Sequence, residues 1–229
     1  QKPDAFWELL KIIFCKIHDE RSSDEVEFYA TSKERHNLNG RLKAKARIDA
    51  LYAAVKAEYD TIFRENEEIE LEPGVLAYIV SQLQMYSLLE SDIDVKGRAY
   101  EEIVGSNLRG DRGEFFTPRN ICQMAVTMLD PNERQLIMDP ACGTGGFLIT
   151  AMNYVIEKIR TAELAKWGEV ARAEDAIRAR VQRFAEKFII GMDLNPSLVK
   201  ASKMNMVMNN DGAGGLFQGN SLRGRFERG

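Results

Sequence analysis

The sequence predicts an α/β protein in which a helical N-terminal domain precedes an incomplete parallel sheet flanked by helices. Three observations carry this reading. Apolar residues recur at helical spacing through the first hundred positions, short apolar runs alternate with helical segments from about residue 111, and a glycine turn, Gly143-Thr144-Gly145-Gly146, joins one such run to a helix. The domains are expected at 1–110 and 111–229.

In the first domain, residues 5–18 place Phe6, Leu9, Leu10, Ile13, Phe14 and Ile17 at helical spacing. The polar stretch from Asp19 to Gly40 reads as loop. Arg41 to Asn66 then forms one long amphipathic segment, with Leu51, Val55, Tyr59, Ile62 and Phe63 along one side. Pro73 suits the first turn of a further helix running to about Leu89. Ser91-Asp92-Ile93-Asp94 looks like a linker, and Gly97 to Leu108 is helical again.

The second domain reads as a helix from Pro118 to Leu129, a strand at 135–139, and a helix beginning near Gly145. A strand at 188–193, a helix at 196–209 capped by Asn195, and a last strand at Gly215-Leu216-Phe217-Gln218 follow. Asp139 and Asp193, each ending a strand, stand 54 positions apart. A compact dinucleotide unit uses roughly 20. The surplus, Arg160 to Arg183, is rich in alanine and charge and breaks at Trp167-Gly168; it predicts an inserted helix pair on the surface, with Trp167 as a packing residue rather than a base-stacking one. Met204, Met206 and Met208 read as a buried helix end, followed by a loop at Asn209-Asn210-Asp211-Gly212.

Composition excludes several classes. With three cysteines, Cys15, Cys122 and Cys142, and no CxxC spacing, neither a disulfide framework nor a zinc site is expected. His18 and His36 are the only histidines, too few for a histidine-rich metal cluster. No apolar run approaches the ~20 residues of a membrane span and no secretory pattern opens the chain, so a cytoplasmic protein is expected. A net charge of −4 argues against a stand-alone DNA binder, because non-specific affinity comes from neutralising phosphates. A local basic cluster, Arg109, Arg112 and Arg119, is either a solvated loop or a phosphate-contacting edge.

The chemistry concentrates in Asp139-Pro140-Ala141-Cys142-Gly143-Thr144-Gly145-Gly146-Phe147-Leu148. Glycines there let the main chain turn tightly and approach a ligand with no Cβ atoms in the way. The nicotinamide fingerprint Gly-x-Gly-x-x-Gly fails at its third position, which falls on Leu148, and no Gly-Lys-Ser or Gly-Lys-Thr follows to make a phosphate loop. What remains suits a nucleoside without phosphate, whose positive sulfonium and amino group are attracted by nearby carboxylates: S-adenosylmethionine. Asp193 can accept hydrogen bonds from both ribose hydroxyls. Cys142 reads as a small filler, and of Phe115 and Phe116 one is expected buried and Phe116 at the cofactor edge.

Together with Gly113-Glu114-Phe115-Phe116-Thr117-Pro118-Arg119 upstream and Ile189-Ile190-Gly191-Met192-Asp193-Leu194-Asn195-Pro196 downstream, the sequence strongly resembles the modification subunit of type I restriction-modification systems, an N6-adenine DNA methyltransferase with gamma-type motif order. The resemblance implies a Rossmann-like methyltransferase domain, S-adenosylmethionine as cofactor, and double-stranded DNA, a specificity subunit and a restriction subunit as partners. Carried over by position, Glu114, Phe116, Thr117, Pro118 and Arg119 lie across the methionine end of the cofactor. Asp139, Ala141, Gly143 and Thr144 form its floor, Asp193 takes the ribose, and Asn220 and Ser221 lie beside the adenine ring.

The family's reaction centre is an Asn-Pro-Pro-Phe or Asn-Pro-Pro-Tyr segment. Here the six prolines are Pro3, Pro73, Pro118, Pro131, Pro140 and Pro196, none adjacent, so no catalytic residue is expected within these 229 positions. Asn195-Pro196-Ser197 reads as a helix start instead. The chain therefore looks like a truncated methyltransferase, lacking an initiator methionine at its front and the reaction centre at its back. Two other readings stay open: a methyltransferase acting on cytosine N4 or a protein amide, and a non-catalytic scaffold that binds cofactor or subunits.

Overall fold

The computed structural model describes residues 4–22, 25–89, 99–100, 102–104, 117–168, 170–210 and 215–223. The chain divides into two compact units, Gln1–Ala99 and Tyr100–Gly229, where the sequence suggested a division between 110 and 111. Of the segments read as linker and helix between 91 and 108, only 99–100 and 102–104 are described, and these are helical.

In the first unit, α1 (Ala5–Ser22) buries Phe6, Leu10, Ile13, Phe14 and Ile17, as its apolar spacing requires. It also buries four charged residues, Glu8, Lys11, Lys16 and Asp19, which no hydropathy pattern anticipates. Each has a partner, the condition for burying charge. Glu8 and Lys11 pair at 2.5 Å, Glu8 accepts the Glu70 N–H at 2.8 Å, and Lys11 donates to the Glu68 carbonyl at 2.6 Å. The pair thus fastens residues 68–70 onto α1. The Asp19 carboxylate accepts the N–H groups of Glu27 and Phe28 at 3.0 and 3.1 Å.

The stretch expected as loop from Asp19 to Gly40 is instead partly helical. Within it α2 (Ser32–His36) starts on a capping box: Thr31 Oγ1 accepts the Glu34 N–H at 3.2 Å while Glu34 accepts the Thr31 N–H at 2.8 Å. Asn37 then caps α3 (Leu38–Glu58) by accepting from Gly40 at 2.7 Å. Short polar residues here are end signals rather than loop filler. Conversely, α3 stops well before Asn66. Tyr59 leaves helical geometry at φ −118, ψ 51, and the chain folds back so that Tyr59 and Phe63 each meet Phe14 edge to face at 5.4 and 5.3 Å, with Tyr52 beside Phe63 at 5.5 Å. α4 (Pro73–Leu83) begins where proline predicts and ends short of Leu89, where the N–H groups of Leu88 and Leu89 donate to Glu20 at 3.0 and 2.8 Å.

The second unit runs α5 (Arg119–Leu129), β1 (Ile137–Asp139), α6 (Gly146–Trp167), α7 (Val170–Phe188), β2 (Ile189–Asp193), α8 (Pro196–Asn210) and β3 (Leu216–Gln218). The strands are parallel in the order β1-β2-β3, with Ile137 opposite Ile189 and Gly191 opposite Leu216. β2 is buried on alternate sides: Ile189 and Gly191 point one way, Ile190 and Met192 the other, so the central strand is covered on both faces. Gly191 is required at the centre, since a Cβ there would lie 2.5 Å from Leu216 and 2.6 Å from Leu148.

The stretch from Arg160 to Arg183 forms the helix pair that its composition predicts, mostly exposed, with Ile177 and Val181 packed against the core. It is the end of α6 and most of α7, two long helices joined at Gly168, which takes φ 74. Their inner faces supply Ile156, Ile159, Phe184 and Ala185 to the core around β2. α7 is amphipathic, and its charge-rich composition reports only its outer face. Arg180 ties the pair together, donating to Glu163 on α6 at 2.5 Å and to Glu133 ahead of β1 at 2.5 and 2.8 Å. Trp167, expected as a packing residue, is 45% exposed at the end of α6, where it donates to Glu163 at 2.9 Å. Met204 and Met206 are fully buried in α8 and Met208 partly, and Asn209 and Asn210, expected as loop, end the helix.

Candidate functional site

Parallel pairing brings the carboxyl ends of the three strands to one edge, and the main chain laces them together there. Gly219, just after β3, donates to the Asp193 carbonyl at 2.9 Å; Cys142, after β1, donates to the Met192 carbonyl at 2.8 Å. The glycine turn between β1 and α6 is closed by the Gly145 N–H on the Cys142 carbonyl at 2.8 Å. Gly143 and Gly145 adopt φ 54 and 85, the left-handed region that an L side chain disfavours. At Gly143 a Cβ would meet nothing within 4 Å among the described residues, so none of these closes this side of the turn to an incoming molecule.

Asp193 holds the centre of the arrangement. One carboxylate oxygen accepts the Gly143 N–H at 3.0 Å and the other the Asn195 N–H at 2.9 Å. An ionised carboxylate offers about four acceptor sites, so one on each oxygen remains for further donors. Asp139 accepts the Ala141 N–H at 3.1 Å, and its carboxyl is held above the usual range by burial, with the Asp193 charge adding to the shift and the Ala141 N–H opposing it. It also forms part of the wall of an otherwise apolar cavity of about 270 Å³ bordered by Val126, Ile137, Phe147 and Ala151.

The native state therefore binds a proton at Asp139 more readily than the unfolded chain, so this ionised carboxylate subtracts from stability at neutral pH and ceases to do so as pH falls through its raised pKa. Asp139→Asn is expected to raise the melting temperature at pH 7. The gap from wild type should narrow on acidification; a gap that widened would contradict the assignment. The Cys142 thiol is pushed up to about 12 by burial, then by Asp139 and Asp193, and stays protonated as a packing group.

Of the residues expected at the site, Asp139, Ala141, Gly143, Thr144 and Asp193 meet within this network. Asn220 and Ser221 follow β3 directly; the Asn220 side chain accepts the Leu222 N–H at 3.1 Å and shapes the turn after the strand. Thr117, Pro118 and Arg119 lead into α5, whose Cys122 sulfur reaches the Thr117 carbonyl at 3.9 Å and lies 3.9 Å from the place of a Cβ on Gly146. This brings the start of α5 against the start of α6. Glu114, Phe115 and Phe116 lie outside the described residues, as do Arg109 and Arg112. Among the described residues no cluster could hold a metal ion, and no helix is long and apolar enough to cross a membrane. Sequence reasoning missed the inner face of α8, where Ser202, Asn205 and Asn209 are buried; their spacing of three and four positions was the available signal.

A parallel sheet with a glycine turn after its first strand and an acid closing its second defines a Rossmann-like domain. The chain belongs to the N-6 DNA methylase family, whose sequence signature matches residues 91–224. It is 26% identical over 230 residues to the methylase subunit of the type I restriction enzyme StySPI from Salmonella potsdam, covering 94% of this chain and 41% of that protein. It is 27% identical over 168 residues to the type II restriction enzyme and methyltransferase RM.BcgI from Heyndrickxia coagulans, covering 71% of this chain and 24% of the relative. A solved modification subunit from Vibrio vulnificus shares the fold, with a TM-score of 0.54 at 18% identity over 96% of this chain and 50% of that one. The chain thus spans half or less of the length of each.

Proposed function

We propose that this chain is the cofactor-holding part of a type I DNA adenine-N6 methyltransferase subunit. The observation that carries the reading is the joining of Asp139, the glycine turn and Asp193 at one sheet edge, with no described residue within 4 Å of where a Cβ on Gly143 would stand. These residues fit S-adenosylmethionine: two carboxylates and an unobstructed glycine surface suit a cationic nucleoside with no phosphate. When bound, that molecule supplies an electrophilic methyl carbon for displacement by the adenine amine. Asp193 would accept the ribose hydroxyls on its unused lone pairs, Asp139 would favour the positive end, and Glu114, Phe116, Thr117, Pro118 and Arg119 would border the methionine end, with Asn220 and Ser221 by the adenine.

Displacement also requires the target base to be flipped out and its amine aligned by acceptors, a positional contribution of roughly 7–11 kcal/mol in favourable cases. No Asn-Pro-Pro-aromatic segment occurs in these 229 residues to do this. We therefore assign cofactor binding to this chain and base positioning elsewhere, with double-stranded DNA, a specificity subunit and a restriction subunit as partners in the cytoplasm. Three free, buried cysteines and a net charge of −4 agree with a reducing compartment and with DNA reading delegated to a partner. Calorimetric titration should detect S-adenosylmethionine binding, and tritiated methyl transfer to duplex DNA by the chain alone should be absent. Lack of binding would remove the cofactor reading, and turnover would remove the division of labour.

A further inference from the structure

We infer that Asn205 is a positioning residue for the glycine turn, fixing its shape from the inner face of α8 before any ligand arrives. The inference rests on the cofactor reading of that turn. Burying polar side chains is unfavourable unless each finds a partner, so a row of them in a helix whose neighbours Met204 and Met206 are apolar core calls for an account. Ser202, Asn205 and Asn209 are 0, 5 and 7% exposed, and the first two reach residues 145 and 144.

The Asn205 amide donates to the Thr144 carbonyl at 3.1 Å. Its direction is set by Asn209, which donates to the Asn205 side-chain oxygen at 2.9 Å and to its carbonyl at 2.8 Å; the oxygen is engaged, leaving the NH2 for the turn. Ser202 stands on the other side, with its hydroxyl 2.5 Å from where a Gly145 Cβ would be. The peptide between Thr144 and Gly145 is thereby held at both ends, its carbonyl by Asn205 and its N–H by the Cys142 carbonyl at 2.8 Å. With the Gly143 N–H clasped by Asp193, two alternate peptides of the turn, 142–143 and 144–145, are fixed from two different elements. A turn held in this way presents its open glycine surface without first having to be ordered.

The test uses the 229-residue chain with Asn205→Leu, which keeps the number of side-chain heavy atoms and removes the donor, and Asn209→Ala, which frees the Asn205 amide without emptying its place. Hydrogen exchange is read by mass spectrometry without ligand, and S-adenosylmethionine affinity by calorimetry. Both variants should exchange faster in peptides covering 140–148 while α1 and α3 exchange as in wild type. The dissociation constant should rise about tenfold for Asn205→Leu, as expected for one lost hydrogen bond in a preorganised site. Wild-type exchange at 140–148 in both variants would overturn the inference, as would equal acceleration throughout the chain. A wild-type chain that binds no S-adenosylmethionine would remove the cofactor reading alone, because the exchange comparison needs no ligand.

Discussion

Asp193→Ala is expected to abolish measurable S-adenosylmethionine binding and to destabilise the apo chain at the same time. The substitution withdraws the acceptors proposed for the ribose. It also leaves the N–H groups of Gly143 and Asn195 without the carboxylate each now donates to at 3.0 and 2.9 Å. Hydrogen bonds to a charged group contribute about 1.5–3 kcal/mol each, so a combined loss of about 3 kcal/mol is expected for the partly exposed pair, with affinity reduced at least a hundredfold. Asn at this position is no mild replacement. An amide must turn its NH2 toward one of the two N–H donors, so Asp193→Asn should lose binding nearly as completely. Urea unfolding and calorimetry measure the two effects separately. An Asp193→Asn chain with wild-type stability and affinity would show that the carboxylate neither holds the turn nor meets the ligand.

Gly215→Ala should be the most damaging single-methyl addition in the second unit. Gly215 has φ 75 and its carbonyl accepts the Gly191 N–H at 2.8 Å, setting the start of β3 against β2. An added Cβ would run into the carbonyl oxygen of Ile189, a main-chain atom of the central strand that no rotamer change can move. Left-handed geometry costs about 1–2 kcal/mol for an L residue, and overpacking a further 1–3 kcal/mol, so roughly 3 kcal/mol or more is expected, with β3 loosened from the sheet. Gly168→Ala is the control. It shares the left-handed geometry at φ 74 but meets nothing within 4 Å, so it should cost only the conformational part, about 1–2 kcal/mol. Equal midpoints in urea for the two variants would contradict the steric account.

Periodicity made much of the fold legible. The β1-turn-α6 passage, β2 ending in Asp193 and the proline-started α4 and α8 all lie where apolar runs, glycines and caps put them. The elements misread are those whose signals depend on distant partners. Asp19 and Thr31 look like loop polarity until Phe28 and Glu34 are seen donating to them. Composition places the charge-rich helix pair of 160–183 on the surface, where its outer face lies, but cannot weigh Ile177 and Val181, which pack inward against the core. Tyr59 and Phe63 continue a helical stripe on paper, whereas the aromatic contacts with Phe14 favour folding back.

The candidate site divides the same way. By itself the sequence determined which chemistry is present: a glycine turn without a phosphate fingerprint, two strand-end acids 54 positions apart, and membership of a methylase family. Only the tertiary structure decided what those residues do to one another. Asp193 bonds to a turn 50 residues before it, and Asn205 to a carbonyl 61 residues before it. Local sequence preferences act over a few residues, while hydrogen bonds across a sheet edge exist only once burial of the strands has brought the partners within reach.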